Sequence, residues 1–262
     1  MRRAGPVIPA ALCLLLTASA RNTVAAACVA AAAAADLAPT AKAAGPDLGA
    51  TAAFRTRRMD MVKLIAARGV RDSATLRALR VVPRHEFVPK AELDLAYGDH
   101  PLPIGYGQTI SQPYIVGYMT EILRPKPGMR VLEVGTGSGY QAAVLAEIGC
   151  QVHTIEIFSE LEKAARDRLK RLGYARVATR QGDGFEGWRE AAPFDAIIVT
   201  AAAGFIPPPL LEQLKPNGRM VIPVGSVYGV QNLILVERDP SGKLRTTNLL
   251  PVRFVPLLRG TP

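Results

Sequence analysis

Val131-Leu132-Glu133-Val134-Gly135-Thr136-Gly137-Ser138-Gly139-Tyr140 joins an apolar run to a glycine turn and then to the start of a helix. A dinucleotide fingerprint, G-x-G-x-x-G, would place its third glycine at position 140, which is Tyr. The pattern here is G-x-G-x-G, with Glu133 two residues ahead of it. A carboxylate at that point repels pyrophosphate and attracts a cation. The expected ligand therefore carries an ammonium group and no phosphate, which describes S-adenosyl-L-methionine. Gly135, Gly137 and Gly139 lack the Cβ that would hold the backbone away from it, and Thr136 lies between them.

Working outward, short apolar runs recur at 130–134, 152–156, 177–181, 195–200 and 219–224. They read as buried parallel strands. Helical stretches separate them: Tyr140–Ile148, closed by Gly149, and Ser159–Leu172, with Leu161, Ala164, Ala165, Leu169 and Leu172 at helical spacing. Strands alternating with helices predict an α/β, doubly wound, mostly parallel sheet. Between 225 and 231 the loop is too short for a helical crossover, so the strand at 233–237 pairs antiparallel, and a last strand runs through 246–255. Seven strands with a C-terminal antiparallel hairpin are expected.

Upstream, Met61, Leu64 and Ile65 mark one helix face closing at Gly69, and Asp72 is an N-cap for a second helix stopped by Pro83. Residues 97–112 are rich in Gly and Pro and show no clear period, which suits a functional loop. Pro113 suits the first position of the helix that follows. Residues 1–50 differ from everything after them. Met1-Arg2-Arg3, the apolar 7–16 and Ala18-Ser19-Ala20 read as a secretory signal, followed by an Ala-rich linker. A lipid-attachment site at Cys28, or a start at Met59 or Met61, are the other readings of that segment. The organisation is thus a leader and linker over 1–53, N-terminal helices and a loop over 54–127, and a cofactor-binding core over 128–262, with 54–262 a single domain.

The composition, 49% apolar and 21% charged, is that of a folded chain. Three cysteines and three histidines without clustered spacing argue against a disulfide framework and against a metal site. Nothing after residue 50 approaches the roughly 18 continuous apolar residues of a membrane span. The net charge of +10 favours acidic partners without identifying one. The leader carries Arg2, Arg3, Arg21 and Lys42 against Asp36 and Asp47, so the body stays basic without it.

Two more acids stand at strand ends, where open α/β sheets bind ligands. Glu156, 21 residues after Gly135, is placed to accept from both ribose hydroxyls, and Asp183, in Gly182-Asp183-Gly184, from the adenine amino group. With the glycine turn they resemble the class I S-adenosylmethionine-dependent methyltransferases, a Rossmann-like fold. The stretch Leu102-Pro103-Ile104-Gly105-Tyr106-Gly107-Gln108-Thr109-Ile110-Ser111-Gln112-Pro113 is similar to the signature of the protein-L-isoaspartate O-methyltransferase family. So are Gly182-Asp183-Gly184, 194–202 and 252–257, in family order over roughly 57–260. The segment Ala203-Gly204-Phe205 departs from the family pattern, which often has a proline there.

The resemblance implies methyl transfer from S-adenosyl-L-methionine to the α-carboxylate of L-isoaspartyl residues in damaged proteins and peptides. It implies Ser111 as the active-site residue orienting that carboxylate, with Gln108 and Thr109 on the same substrate loop. Read without it, Ser111 is a helix N-cap ahead of Pro113. His100 and His153 read as bystanders, and Arg253 either lines the peptide groove or is a solvated strand residue. A monomer in the cytoplasm is expected, or a periplasmic or envelope protein if the leader is genuine. No metal and no nucleic-acid partner are expected. A nucleic-acid methyltransferase is disfavoured because Thr200-Ala201-Ala202-Ala203 replaces the Asn/Asp-Pro-Pro-aromatic motif, and because aromatics for stacking bases are absent. A small-molecule methyltransferase and a non-catalytic binding relative are the remaining alternatives.

Overall fold

A computed structural model describes residues 52–226 and 228–260. The leader readings, Cys28 included, lie outside them. Helix α1 (Ala52–Ala67) already includes the last two residues assigned to the linker. It buries Arg58, Met61, Val62 and Ile65, whereas Leu64 is 43% exposed. Each residue turns the helix by about 100°. The buried arc therefore runs from Met61 through Ile65 and Arg58 to Val62, and Leu64 falls on its far side. In α2 (Ser73–Val81) the Asp72 carboxylate accepts from the Thr75 amide at 2.7 Å, the predicted cap.

The loop 97–112 is more ordered than its composition suggested. Strands β1 (Leu102–Gly105) and β2 (Gln108–Ile110) form an antiparallel hairpin. Its two central residues, Tyr106 and Gly107, have φ of 55° and 69°. Positive φ at both centres matches strand twist across a two-residue turn, a signal carried here by Tyr-Gly rather than the commoner Asn-Gly. Helix α3 (Pro113–Leu123) then starts on its proline.

The main sheet comprises β3 (Arg130–Val134), β4 (Gln151–Glu156), β5 (Ala178–Gln181), β6 (Phe194–Val199), β7 (Leu214–Gly225), β8 (Gln231–Arg238) and β9 (Leu244–Val252). Their order is β5-β4-β3-β6-β7-β8-β9, parallel through β7 and antiparallel from there. The chain runs outward from β3 in both directions, so the crevice of the topological switch lies at the carboxyl end of β3. The final strand stops at Val252, short of the expected 255. Residues 254–257 peel away, and the Leu257 amide donates to Ala202 O at 2.7 Å.

Consecutive strand residues serve opposite cores, which is why the strands read as continuous apolar runs. Val131, Val152, Ile198 and Val221 join the core under α1–α3 and α4 (Tyr140–Ile148). Leu132, Val134, Ile155, Ile197 and Met220 pack on the other face with Phe194 and Leu210. Each such burial is worth ~1.5–3 kcal/mol, enough to hold the rim of β3 and β6 in place. Helix α5 (Ser159–Arg171) buries Leu161, Ala165 and Leu169, while Ala164 is exposed. No helix among the described residues is long and apolar enough to cross a membrane, and no cluster of three metal-ligating side chains occurs among them.

Candidate active site

The glycine turn is sewn to both neighbouring strands. The amides of Gly135 and Thr136 donate to Ile155 O at 2.9 and 3.1 Å, binding the turn to β4. From β6, the Thr200 hydroxyl donates to Gly135 O at 2.7 Å. Gly135 has φ +98°, and a Cβ there would stand 2.5 Å from Thr200 Oγ1. The turn therefore needs glycine for close approach within the protein. At Gly139 the neighbour is Leu169 of α5, 3.3 Å from where a Cβ would lie, so this glycine serves helix packing rather than the cleft.

The three acids expected to hold the cofactor occupy three different environments. Glu156 lies on the cleft wall. Its Oε2 accepts from the Gly137 amide at 2.7 Å, and its Oε1 from the Ile157 and Phe158 amides at 2.9 and 3.1 Å. Burial raises its pKa against the pull of those amides. Glu133 is not on the wall. It is fully buried beneath the turn, where the Thr154 hydroxyl donates to its Oε2 at 2.6 Å and in turn meets Thr136 Oγ1 at 2.6 Å. Its Oε1 is buried without a partner, and desolvation pushes the carboxyl up to about 8. Thr136 thus faces inward to this chain rather than outward. Asp183 caps the turn at 184–186 through the Phe185 amide at 2.9 Å and accepts from the Gly260 amide at 2.9 Å. Its neighbour Gly184, and not Asp183 itself, lines the cleft.

Two cavities meet at this edge. The smaller, about 50 Å³, is lined by Gln108, Thr109, Gly135, Gly137, Glu156, Phe158, Gly184, Thr200, Leu257 and others. Among the described residues lining it, Glu156 is the only charged one, so it suits hydroxyls and cations and offers nothing to a pyrophosphate. Tyr106, at the tip of the β1–β2 hairpin, packs against Phe158 with ring centroids 5.6 Å apart, drawing the hairpin towards this cleft. The larger cavity, about 420 Å³, is lined by Thr109, Ser111, Gln112, Ile115, Thr200, Val230, Val252, Arg253 and Phe254, with Pro101 and Pro251 at its edge. Thr109 and Thr200 line both.

Ser111 does not cap α3. The cap position is Gln112, and no side-chain cap bond forms there. The acceptor comes instead from Asp99, whose Oδ1 takes the Tyr114 amide at 2.9 Å, while Oδ2 takes Gln112 Nε2 at 3.0 Å and also binds Arg68. The half-buried Ser111 hydroxyl is left facing the larger cavity with no hydrogen bond among the described residues. Gln108 folds back to donate to Tyr106 O at 3.2 Å. Thr200, which looked like the end of a strand, was missed in the sequence. Arg253 is both exposed and on the cavity wall, where it is the one full positive charge. His153 is edge-on to Trp188 and Phe194, its pKa lowered by burial, and His100 is exposed and outside both cavities. Cys150, pushed up to about 12 by burial, stays a thiol at the opposite strand end.

A protein-family model described as protein-L-isoaspartate(D-aspartate) O-methyltransferase matches residues 56–261. A Syntrophobacter fumaroxidans protein named protein-L-isoaspartate O-methyltransferase 2 is 61% identical over 189 residues, 72% of this chain and 76% of that one. A solved structure titled protein-L-isoaspartate O-methyltransferase superposes with a TM-score of 0.70 at 30% identity, covering 76% of this chain and 65% of its own, so this chain spans just under two thirds of it. Another, from Plasmodium falciparum, is described as such a methyltransferase in complex with S-adenosyl-L-homocysteine. It has a TM-score of 0.69 at 25% identity, covering 78% of this chain and 99% of that one.

Proposed function

The chain belongs to the protein-L-isoaspartate(D-aspartate) O-methyltransferase family, and from that premise we propose how it works: it transfers a methyl group from S-adenosyl-L-methionine to the α-carboxylate of L-isoaspartyl residues in damaged proteins and peptides. The observation that carries this reading is the junction of an acid-walled cleft and an Arg253-walled cavity at Thr109 and Thr200. One suits a cationic donor and the other an anionic acceptor. Radiolabelled methyl transfer to paired peptides, differing only in isoaspartate against aspartate, tests it. Labelling of the isoaspartyl peptide alone is expected, and equal labelling of both would overturn the reading.

When bound, S-adenosyl-L-methionine supplies a methyl group made electrophilic by its sulfonium. The cleft fits such a group in its chemistry: Glu156 and the backbone of Gly135 and Gly137 form the wall, and the unpartnered Glu133 Oε1 lies beneath it. Thr136, Gly139 and Asp183 support that wall from behind.

The acceptor carboxylate is already ionised at neutral pH, with a reference pKa near ~3.5, so no general base is needed. Ser111 donates a hydrogen bond to one carboxylate oxygen, and the Arg253 guanidinium holds its charge in the larger cavity. Thr109 and Gln108 hold the loop that carries Ser111. Such positioning can lower a barrier by ~7–11 kcal/mol. Phe254, Ile115 and Val230 exclude water from the same cavity, which strengthens both contacts. The neighbouring backbone amide nitrogen of the peptide then attacks the ester carbonyl, methanol leaves with the amide proton, and the succinimide closes without further help. A monomer is the proposed state. The cytoplasm, where the cofactor is made, is the proposed compartment, with export the alternative if residues 1–50 act as a signal.

A further inference from the structure

At the opposite, amino-terminal edge of the sheet lies a cavity of about 670 Å³, larger than either cavity at the catalytic edge. Met129 ahead of β3, Asp195 of β6, Arg219 of β7, Glu237 of β8 and Arg245 of β9 all open onto it. Six basic side chains line it against three acids, and each acid is already engaged within the protein. Asp195 accepts from Lys215 Nζ and the Arg130 amide, both at 2.8 Å. Glu237 pairs with Arg219 at 3.0 Å. Asp239 accepts from the amides of Ser241 and Lys243, both at 2.9 Å, and closes the β8–β9 turn.

The bases are not balanced in the same way. Arg238 is structural, donating to Leu214 O at 2.7 Å. Arg124, Lys126, Lys243 and Arg245 form no ion pair among the described residues. Arg219 has one arm on Glu237, but its Nε is buried and has no acceptor. Arg124 leaves α3 in the left-handed conformation, φ 53°, and places a second guanidinium on the wall of the same cavity as Arg219. A buried donor without an acceptor is unfavourable, and a like charge on the same wall adds to that. An oxyanion relieves both, because guanidinium forks match phosphate oxygens in bidentate fashion. No aromatic ring lines the cavity, so nothing there would stack a base.

We propose that this edge of the sheet is a binding site for a short polyphosphate chain, gripped between Arg124 and Arg219 with Lys126 and Lys243 at its rim. It is remote from the glycine turn and independent of the methyl-transfer reading.

Calorimetric titration of the full chain with inorganic tripolyphosphate, at ionic strength fixed with sodium chloride, tests this. One saturable site is expected, and absence of binding would overturn the proposal. The double variant Arg124→Gln/Lys243→Gln, both side chains exposed and unpaired, should bind at least tenfold more weakly. Its methyl transfer to an isoaspartyl peptide, measured without tripolyphosphate, should be unchanged, which shows that it folds. Lys170→Gln on α5 and Arg253→Gln in the catalytic cavity should bind tripolyphosphate as the parent does. An equal loss in either would mean diffuse attraction or the wrong cavity. ATP should bind within threefold of tripolyphosphate. Binding ten times tighter would show that the site reads the nucleoside and would overturn the inference.

Discussion

Ser111 leaves its hydroxyl open to the larger cavity because Asp99 does the capping that a serine ahead of Pro113 would ordinarily do. Ser111→Ala is therefore expected to leave the melting temperature nearly unchanged, to leave affinity for S-adenosyl-L-methionine intact, and to lower methyl transfer at least tenfold. A parallel loss of stability would return the residue to a structural role. Glu133 makes a second residue-level prediction, from its carboxyl held up to about 8 by burial. In the unfolded chain that group ionises near its reference value of about 4.3. Between the two values the folded state holds a proton that the unfolded state has released. Stability from this group is therefore full below about pH 4 and falls as pH rises towards 8. Glu133→Gln should remove that slope, so that denaturant melts of the ligand-free variant gain on the parent at pH 8 relative to pH 5. Equal differences at the two pH values would place the carboxyl in water.

At the scale of elements, the substrate loop is held by a junction rather than by its own period. Asp99 ties the start of α3, the Gln112 side chain and Arg68 of the α1–α2 connection to one carboxylate. Loss of such a cap costs ~1 kcal/mol. Asp99→Ala should lower the melting temperature and raise the KM for peptide at least fivefold, with the KM for S-adenosyl-L-methionine within twofold. Equal shifts in both constants would mean general loosening. The turn between β3 and α4 is tighter still. Gly135→Ala forces φ +98° on an L-residue and sets its Cβ 2.5 Å from Thr200 Oγ1. The expected outcome is loss of cofactor binding by calorimetry together with a lower melting temperature, and a variant that binds normally would show the turn to be plastic.

Across the whole molecule, the lining of both catalytic cavities runs from Pro101 to Leu258. A chain beginning at Ala52 keeps every described residue that lines the two cavities and should retain methyl transfer within about twofold. A tenfold loss in the same peptide assay would give the first 51 residues a part in catalysis. The central strands β3, β6 and β7 were legible as 5–6-residue apolar runs because strands buried on both faces need no alternation, as the split of Ile197 and Ile198 between two cores shows. The β1–β2 hairpin was not legible. Its strands are short and its turn carries a tyrosine at positive φ, a conformation local propensity disfavours and the contact with Phe158 accompanies.

By itself the amino-acid sequence determined the alternation of strands and helices after residue 129, the glycine turn, the Asp72 cap, the start of α3 at Pro113, and the family, because all of these rest on residues close together along the chain. Only the tertiary structure decided which side chains face a cavity. Thr200 reaches Gly135 across 65 residues and Asp99 reaches Tyr114 across 15, and the tail at Gly260 occupies Asp183 across 77. Hydrogen-bond partners supplied from a distance fix whether a polar group is committed or left open. That is why Ser111 and Arg253 stand open to a cavity while Glu133 and Asp183 turn inward.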